Sequence, residues 1–176
     1  MNAAQLDEQL IIRMGRGDGT AFRELYHQTS GAVYGFALSI LKNSHDAEDV
    51  MHDAFIRAYT GAVSYVPMGK PMAWILTIVR NLSYNRLRSG KVCEDLSEYE
   101  HLISAGGEMS EDRIVLEKAM QILDFQERQI VILHAVIGMK HREIAELLDL
   151  PTGTILSKYS RSLKKIKTEV EKGEER

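Results

Sequence analysis

Apolar residues recur at three- and four-residue spacing along most of this chain, and strand-like alternation is almost absent, so the pattern predicts helices throughout. A short amphipathic helix is expected from Asp7 to Arg16. Gly17-Asp18-Gly19 interrupts it, and Thr20 is a suitable N-cap for a helix running to about Leu41. Phe22, Leu25, Tyr26, Val33, Phe36 and Ile40 would form its buried side. Asn43-Ser44 marks the next turn, with Ser44 as N-cap and Asp46 and Glu48 complementing the dipole of a third helix. That helix would bury Ala47, Val50, Met51, Ala54, Phe55 and Tyr59. A loop from Gly61 to Lys70 leads into a fourth helix, Pro71 to Arg88, whose core stripe is Met72, Ile75, Leu76, Val79 and Leu82.

From Gly90 to Met109 no period is sustained and a Gly-Gly pair appears, which reads as a linker. From about Ser110 the helical pattern resumes as four segments. Asp124 followed by Glu127 resembles a capping box ahead of the apolar run IVILHAV. HREIAELL and TGTILSKYSRSLKKIKTEV follow, joined by Asp149-Leu150-Pro151. Ile144, Ala145, Leu147 and Leu148 would face inward on the first; Ile155, Tyr159, Leu163 and Ile166 on the second. Pro151 suits the first turn of that last helix. The expected architecture is all-α: two small helical domains, 1–90 and 110–176, joined by a flexible acidic linker at 91–109, the second domain containing a helix-turn-helix.

Charge sharpens this picture more than composition does. The net charge is −3 over 176 residues, a weak argument against a nucleic-acid partner. Locally the charges are sorted into blocks. Between Val92 and Asp112 lie seven acids and no Lys or Arg; between Gly153 and Thr168 lie five bases and no acid. No acid falls between Lys70 and Lys91, a stretch that holds Arg80, Arg86 and Arg88. Such sorting matters more to a polyanion partner than the total does. The one cysteine, Cys93, excludes an internal disulfide and suits a reducing cytoplasm. No apolar run approaches a membrane span and no signal peptide is visible, so no direct membrane insertion is expected.

Two segments carry candidate chemistry. On the fourth helix Trp74, Ile78, Asn81, Asn85 and Arg88 share a stripe beside the core face. Aromatic and amide groups on an acid-free helix can hold phosphates and stack on or hydrogen-bond to bases. In the last helix Thr154, Lys158, Arg161 and Lys165 fall at i, i+4, i+7 and i+11, with Ser157 alongside. Thr154, Ser157 and Lys158 would reach base edges, while Arg161, Lys164 and Lys165 would meet phosphates. The plainer reading of both helices is a solvated basic face. A rival enzyme reading rests on His45, Asp49, His52 and Asp53, which share one helix face as a divalent-metal site would require, but no matching set of ligands appears elsewhere, so no metal, cofactor or catalytic residue is expected. A stand-alone repressor or activator would use the same helix-turn-helix.

DAEDVMHDAFIRAY (Asp46–Tyr59), WILTIVRNLSYNRLR (Trp74–Arg88) and REIAELLDLPTGTILSKYSRSLKKIK (Arg142–Lys167), in this order, resemble bacterial RNA polymerase sigma factors of the extracytoplasmic-function type. The resemblance covers nearly the whole chain and implies a non-enzymatic, cytoplasmic transcription factor. It implies that Glu48, Asp49, His52, Asp53, Ile56 and Arg57 face the clamp helices of core RNA polymerase. Tyr65, Trp74, Arg80, Asn81, Asn85 and Arg88 would recognise and help melt the −10 element of promoter DNA. Arg142, Thr154, Ser157, Lys158, Arg161 and Lys165 would read the −35 element. The face around Ile130–Val136 would stay partly available for the polymerase flap. An anti-sigma factor is a further implied partner. The chain departs from the family pattern at His52, Asn85, Lys140, Pro151, Leu156 and Lys158, which bears on promoter preference.

Overall fold

The structure, a computed structural model, describes residues 6–89 and 121–174. The expected linker with Cys93, the seven acids between Val92 and Asp112 and the helix expected from about Ser110 lie outside the described residues. Seven α-helices are described: α1 (Glu8–Gly15), α2 (Gly19–Leu41), α3 (Ser44–Gly61), α4 (Pro71–Arg88), α5 (Phe125–Val131), α6 (His141–Leu148) and α7 (Thr152–Glu174). A 3₁₀ turn at Ala62–Ser64 follows α3, and a π-helical segment, Ile132–Val136, extends α5.

The helix starts are set by carboxylates and amides more than by the hydroxyls expected. Asp18, not Thr20, caps α2: its Oδ1 accepts from the Thr20 and Ala21 N–H groups at 2.9 and 3.2 Å. Its other oxygen holds Arg13 at 2.7 Å, so one side chain closes α1 onto α2. Asn43, not Ser44, caps α3 by accepting from the Asp46 N–H at 2.9 Å. A hydroxyl offers no second acceptor oxygen for such double duty. The Asp124–Glu127 capping box is present as expected, with reciprocal bonds of 2.7 and 3.0 Å. Pro151 stands just before α7 rather than inside it, its carbonyl accepting from the Thr154 and Ile155 N–H groups.

α2, α3 and α4 pack around one apolar centre that includes Leu25, Phe36, Val50, Phe55, Ile75 and Val79. Tyr59 is 42% exposed rather than buried, because its ring lies over Phe22 with centroids 5.4 Å apart at the edge of that core. α1 closes one end. A Cβ on Gly15 would stand 2.5 Å from the Ala62 carbonyl oxygen, so only glycine lets α1 approach this closely.

The second group of helices buries Ile130, Leu133, Ile137, Ile144 and Ile155. On α7 the inward stripe is Ile155, Tyr159, Ser162 and Ile166. Leu163, expected inside, is exposed, and Ser162 takes the buried position with its hydroxyl satisfied by the Lys158 carbonyl at 2.8 Å. The spacing i, i+7, i+11 keeps one face of a straight helix better than i, i+8, i+11 does.

The two groups meet along α2 and α4. Arg128 of α5 is almost fully buried between them. It donates to the Leu123 carbonyl at 3.0 Å and to the Ser39 carbonyl, in the last turn of α2, at 3.4 Å. A cation at that helix end complements the dipole and supplies donors to free carbonyls. The Tyr84 and Phe125 rings lie 6.2 Å apart across the same seam.

Candidate nucleic-acid interface

The loop after α3 and the first half of α4 enclose an open cavity of about 470 Å³ lined by Arg57, Gly61, Ser64, Tyr65, Val66, Met68, Trp74, Ile78 and Asn81. The Tyr65 and Trp74 rings form its wall, centroids 4.8 Å apart and tilted by 61°. Asn81 is exposed at its far end, two turns beyond Trp74 along α4, while Val66 and Met68 project from the loop above. Asn85 and Arg88 continue the exposed line along the helix. The structure therefore brings Tyr65, Trp74 and Asn81 together and leaves Asn85 and Arg88 as an open extension.

Arg80 stands apart from this group. Its guanidinium donates to the Leu147 carbonyl of α6, and its Nε is buried without a hydrogen-bond partner among the described residues. Lys70, at the start of α4, pairs with Glu146 of α6 at 2.6 Å, and that carboxylate raises the lysine's pKa. Part of the fourth helix's basic side thus faces the helix-turn-helix. Arg86, from the same acid-free stretch, is tied at 2.8 Å to Asp46 and at 3.0 Å to Asp49. Both acids hold its guanidinium more firmly protonated, Asp46 foremost.

α6 and α7 make the second candidate surface. Asp149, in the left-handed region at φ 56°, turns the chain between them, a conformation that asparagine and aspartate tolerate better than most residues. Lys140 supplies no side-chain cap to α6. Instead its N–H donates to Glu143 at 2.8 Å, half of a capping box. Arg142, Leu156, Ser157 and Arg161 are exposed, and Thr154 is half-buried. Lys158 and Lys165 turn the other way. Lys158 pairs with Asp124 at 3.2 Å and Lys165 with the buried Glu127 at 2.7 Å. Burial alone would raise the Asp124 pKa, but the Glu127 N–H and Lys158 hold it below the usual carboxylate range. The expected stripe of four is therefore divided: Arg161 stays outward, while the two lysines fasten α7 to α5.

Two family models match the chain, sigma-70 region 2 over residues 25–92 and sigma-70 region 4 over residues 113–166. The chain belongs to the sigma-70 family. Several of its curated relatives are named extracytoplasmic-function sigma factors. It is 27% identical to the sigma factor SigW of Bacillus subtilis, covering 86% of this chain and 89% of that one. It is 26% identical to the sigma-H factor of Pseudomonas aeruginosa, covering 92% of both chains. The fold is similar to that of RpoE in its complex with the anti-sigma factor NepR from Bartonella quintana, with a TM-score of 0.70 at 24% identity over 85% of this chain and 96% of that one. CnrH, solved with the cytosolic domain of CnrY, is similar at a TM-score of 0.65 and 21% identity, over 92% and 95% of the two chains.

A sigma factor binds core RNA polymerase and directs promoter-specific initiation. In this sigma factor the expected polymerase-facing residues lie along α3, where Glu48, His52, Asp53, Ile56 and Arg57 are exposed and Asp49 is half-covered by its pairing with Arg86. The expected flap face is mostly interior. Ile130, Val131, Ile132 and Leu133 are buried because they form the core under α6 and α7, leaving Ala135 and Val136 outward. Among the described residues no cluster of three or more His, Cys, Asp or Glu side chains could hold a metal, and no helix is long and apolar enough to cross a membrane.

Two residues that the sequence pattern did not single out hold these surfaces. Arg128 joins the halves, and Glu8 of α1 reaches the loop above the cavity, accepting from the Tyr65 hydroxyl at 2.6 Å. For Arg128 a faint signal exists, since it shares a face with the core residues Val131 and Ile132. For Glu8 there is none, because its partner lies 57 residues away.

Proposed function

We propose that the cavity walled by Tyr65 and Trp74 receives an unstacked base of the −10 element, and that the exposed face of α6 and α7 reads −35 duplex. The observation that carries this is the cavity itself: an aromatic wall and an exposed amide, Asn81, on a helix without acids. Stacking on aromatics offsets the loss of base stacking when DNA opens, and an amide can bond to a base edge. Asn85 and Arg88 would follow the strand beyond the cavity. Arg142, Thr154, Ser157 and Arg161 would meet duplex DNA, with Lys158 and Lys165 contributing positive field from their paired positions.

Arg80 can contact DNA only after leaving the Leu147 carbonyl. The promoter-bound form would therefore have α6 moved away from α4. Glu48, Asp49, His52, Asp53 and Ile56 would dock on the polymerase clamp helices, beside an open groove of about 440 Å³ between α2 and α3. An anti-sigma factor would control this protein, as NepR is bound to the similarly folded RpoE, and the protein would work in the cytoplasm. The testing experiment is reconstitution. Added to core RNA polymerase, the full-length protein should yield transcripts from a defined subset of promoters and should bind the same DNA weakly on its own. Tight sequence-specific duplex binding without polymerase, and no effect on core enzyme, would overturn the reading.

A further inference from the structure

One carboxylate oxygen holds the loop that roofs the cavity. Glu8 Oε1 accepts from the Tyr65 hydroxyl at 2.6 Å and from the Met68 and Gly69 N–H groups, both at 2.9 Å. The two peptide donors are consecutive, and Gly69 takes a positive φ of 68°, so the backbone turns both N–H groups toward one point. Glu8 is not needed to cap its own helix: Asp7 already accepts from the Gln9 N–H at 2.9 Å. The other end of α1 is docked against Ala62 through Gly15. α1 therefore lies along the loop as a splint, fastened at residue 62 and at residues 65–69. The bonding is reflected in both side chains. The Tyr65 bond first, then the two peptide donors, hold the Glu8 pKa below its ordinary value. Burial first, then the bond to Glu8, raise that of the Tyr65 phenol.

The consequence is geometric. Tyr65 carries one ring of the cavity wall, and Val66, Pro67 and Met68 form the exposed rim that Glu8 fastens. The Tyr65 N–H also donates to the Ala62 carbonyl at 3.2 Å, and a base is discriminated only if the wall and rim are fixed before it arrives. We propose that Glu8 is a positioning residue for base selection: it touches no DNA, but it fixes Tyr65 and the 66–68 rim so that the cavity accepts one base over others. This rests on the cavity being the base-receiving site.

The test uses full-length protein with core RNA polymerase and a promoter library randomised through the −10 region, with base frequencies read from the transcripts. Glu8→Gln is expected to lower the preference at a single −10 position by about threefold to tenfold, the range for weakening partly exposed bonds to a charged acceptor. Core-polymerase affinity and −35 preference should be unchanged. Tyr65→Phe, which keeps the ring, should flatten the same position, and the double variant should do no more than Glu8→Gln alone, since the Tyr65 bond is one of the three that Glu8 accepts. Wild-type base frequencies in Glu8→Gln, or a uniform fall in transcript yield with frequencies intact, would overturn the proposal and leave Glu8 a structural staple. Trp74→Ala separates the two levels. If it alters the −10 frequencies while Glu8→Gln does not, the cavity reads DNA and Glu8 does not tune it. If Trp74→Ala leaves the frequencies unchanged, the cavity reading and the Glu8 proposal fall together. Should Glu8→Gln fold poorly, as seen by circular dichroism, Tyr65→Phe alone decides by the same frequency readout.

Discussion

The loop-and-α4 surface and the Gly153–Thr168 stretch of α7 both lack acids in sequence, yet they use their cations differently. Around the cavity the outward groups are mostly neutral: two rings, an amide and loop aliphatics. The arginines of that helix are largely engaged elsewhere, Arg86 with Asp46 and Asp49, Arg80 with the Leu147 carbonyl. On α7 Lys158 and Lys165 clamp the helix to α5, while Arg161 and Lys164 remain exposed. A basic stripe is thus not a measure of phosphate-binding capacity. Here it supplies internal fastenings first, and what is left outward differs in kind: stacking chemistry at one site, point charges at the other. Stacking suits single strands and point charges suit a duplex backbone.

Removing the ring that walls the cavity should break this contrast most strongly. Trp74→Ala should reduce promoter opening, followed by permanganate reactivity or 2-aminopurine fluorescence, by about tenfold to a hundredfold, the range for losing a base–aromatic stack. Binding to −35 duplex should hold. Next in size, Arg161→Ala should weaken duplex binding by about tenfold and lower the slope of log affinity against log salt by about 1, without a selective effect on opening. Lys165→Met should invert that result. Its ammonium is already bonded to both oxygens of the buried Glu127, at 2.8 and 2.7 Å, so duplex affinity should fall less than in Arg161→Ala. Stability should fall instead, by about 1 kcal/mol in chemical unfolding, because Glu127 loses a charged donor. Equal affinity losses for Arg161→Ala and Lys165→Met would show that the ion pair does not withdraw the lysine from DNA.

Much of the helical framework can be read from periodicity because it is local. The core stripe of α4 and the Asp124–Glu127 capping box depend on residues within a few positions of each other, and both occur as the pattern predicts. The helix starts differ from expectation for one reason: Asp18 and Asn43 offer better acceptors than the nearby hydroxyls. Leu163 stands outside and Ser162 inside because the helical period, not side-chain hydrophobicity, selects the buried face of α7. The candidate site was legible in part. Trp74 and Asn81 share a helix stripe, so their adjacency follows from i and i+7 spacing. What fixes them was not legible. Glu8 meets Tyr65 across 57 residues, Lys70 meets Glu146 across 76, and Arg128 meets Ser39 across 89. Pairings at that range follow from how helices pack in space, which no local period encodes.

The smallest expected effect separates the two surfaces by pH. At the start of α6 the His141 ring stacks on His134 with centroids 4.0 Å apart, and both rings meet Tyr159, at 5.3 and 4.7 Å. His134 directs Nδ1 at the Met139 carbonyl oxygen, 2.8 Å away, and His141 Nε2 is buried without a hydrogen-bond partner among the described residues. Burial first, then the neighbouring His134, lower the His141 pKa from 6.5. A histidine whose folded pKa lies below its unfolded value binds fewer protons when folded. Its contribution is therefore intact above about 6.5 and declines as pH falls below that value. Glu8 at the other surface also has a lowered pKa, but from 4.5, so the loop it fastens keeps that contribution until the pH falls below about 4.5. Between these values the helix-turn-helix should loosen while the cavity loop holds. Amide hydrogen exchange at pH 5.5 against pH 7.5 checks this: protection corrected for intrinsic rates should fall in α6 and the start of α7 and stay constant at Met68 and Gly69. His141→Phe keeps the stacked ring without a titrating group and should abolish the difference. If the loss of protection in α6 persists in His141→Phe, another group drives it, and the contrast between a pH-sensitive duplex reader and a pH-insensitive opening site does not rest on His141.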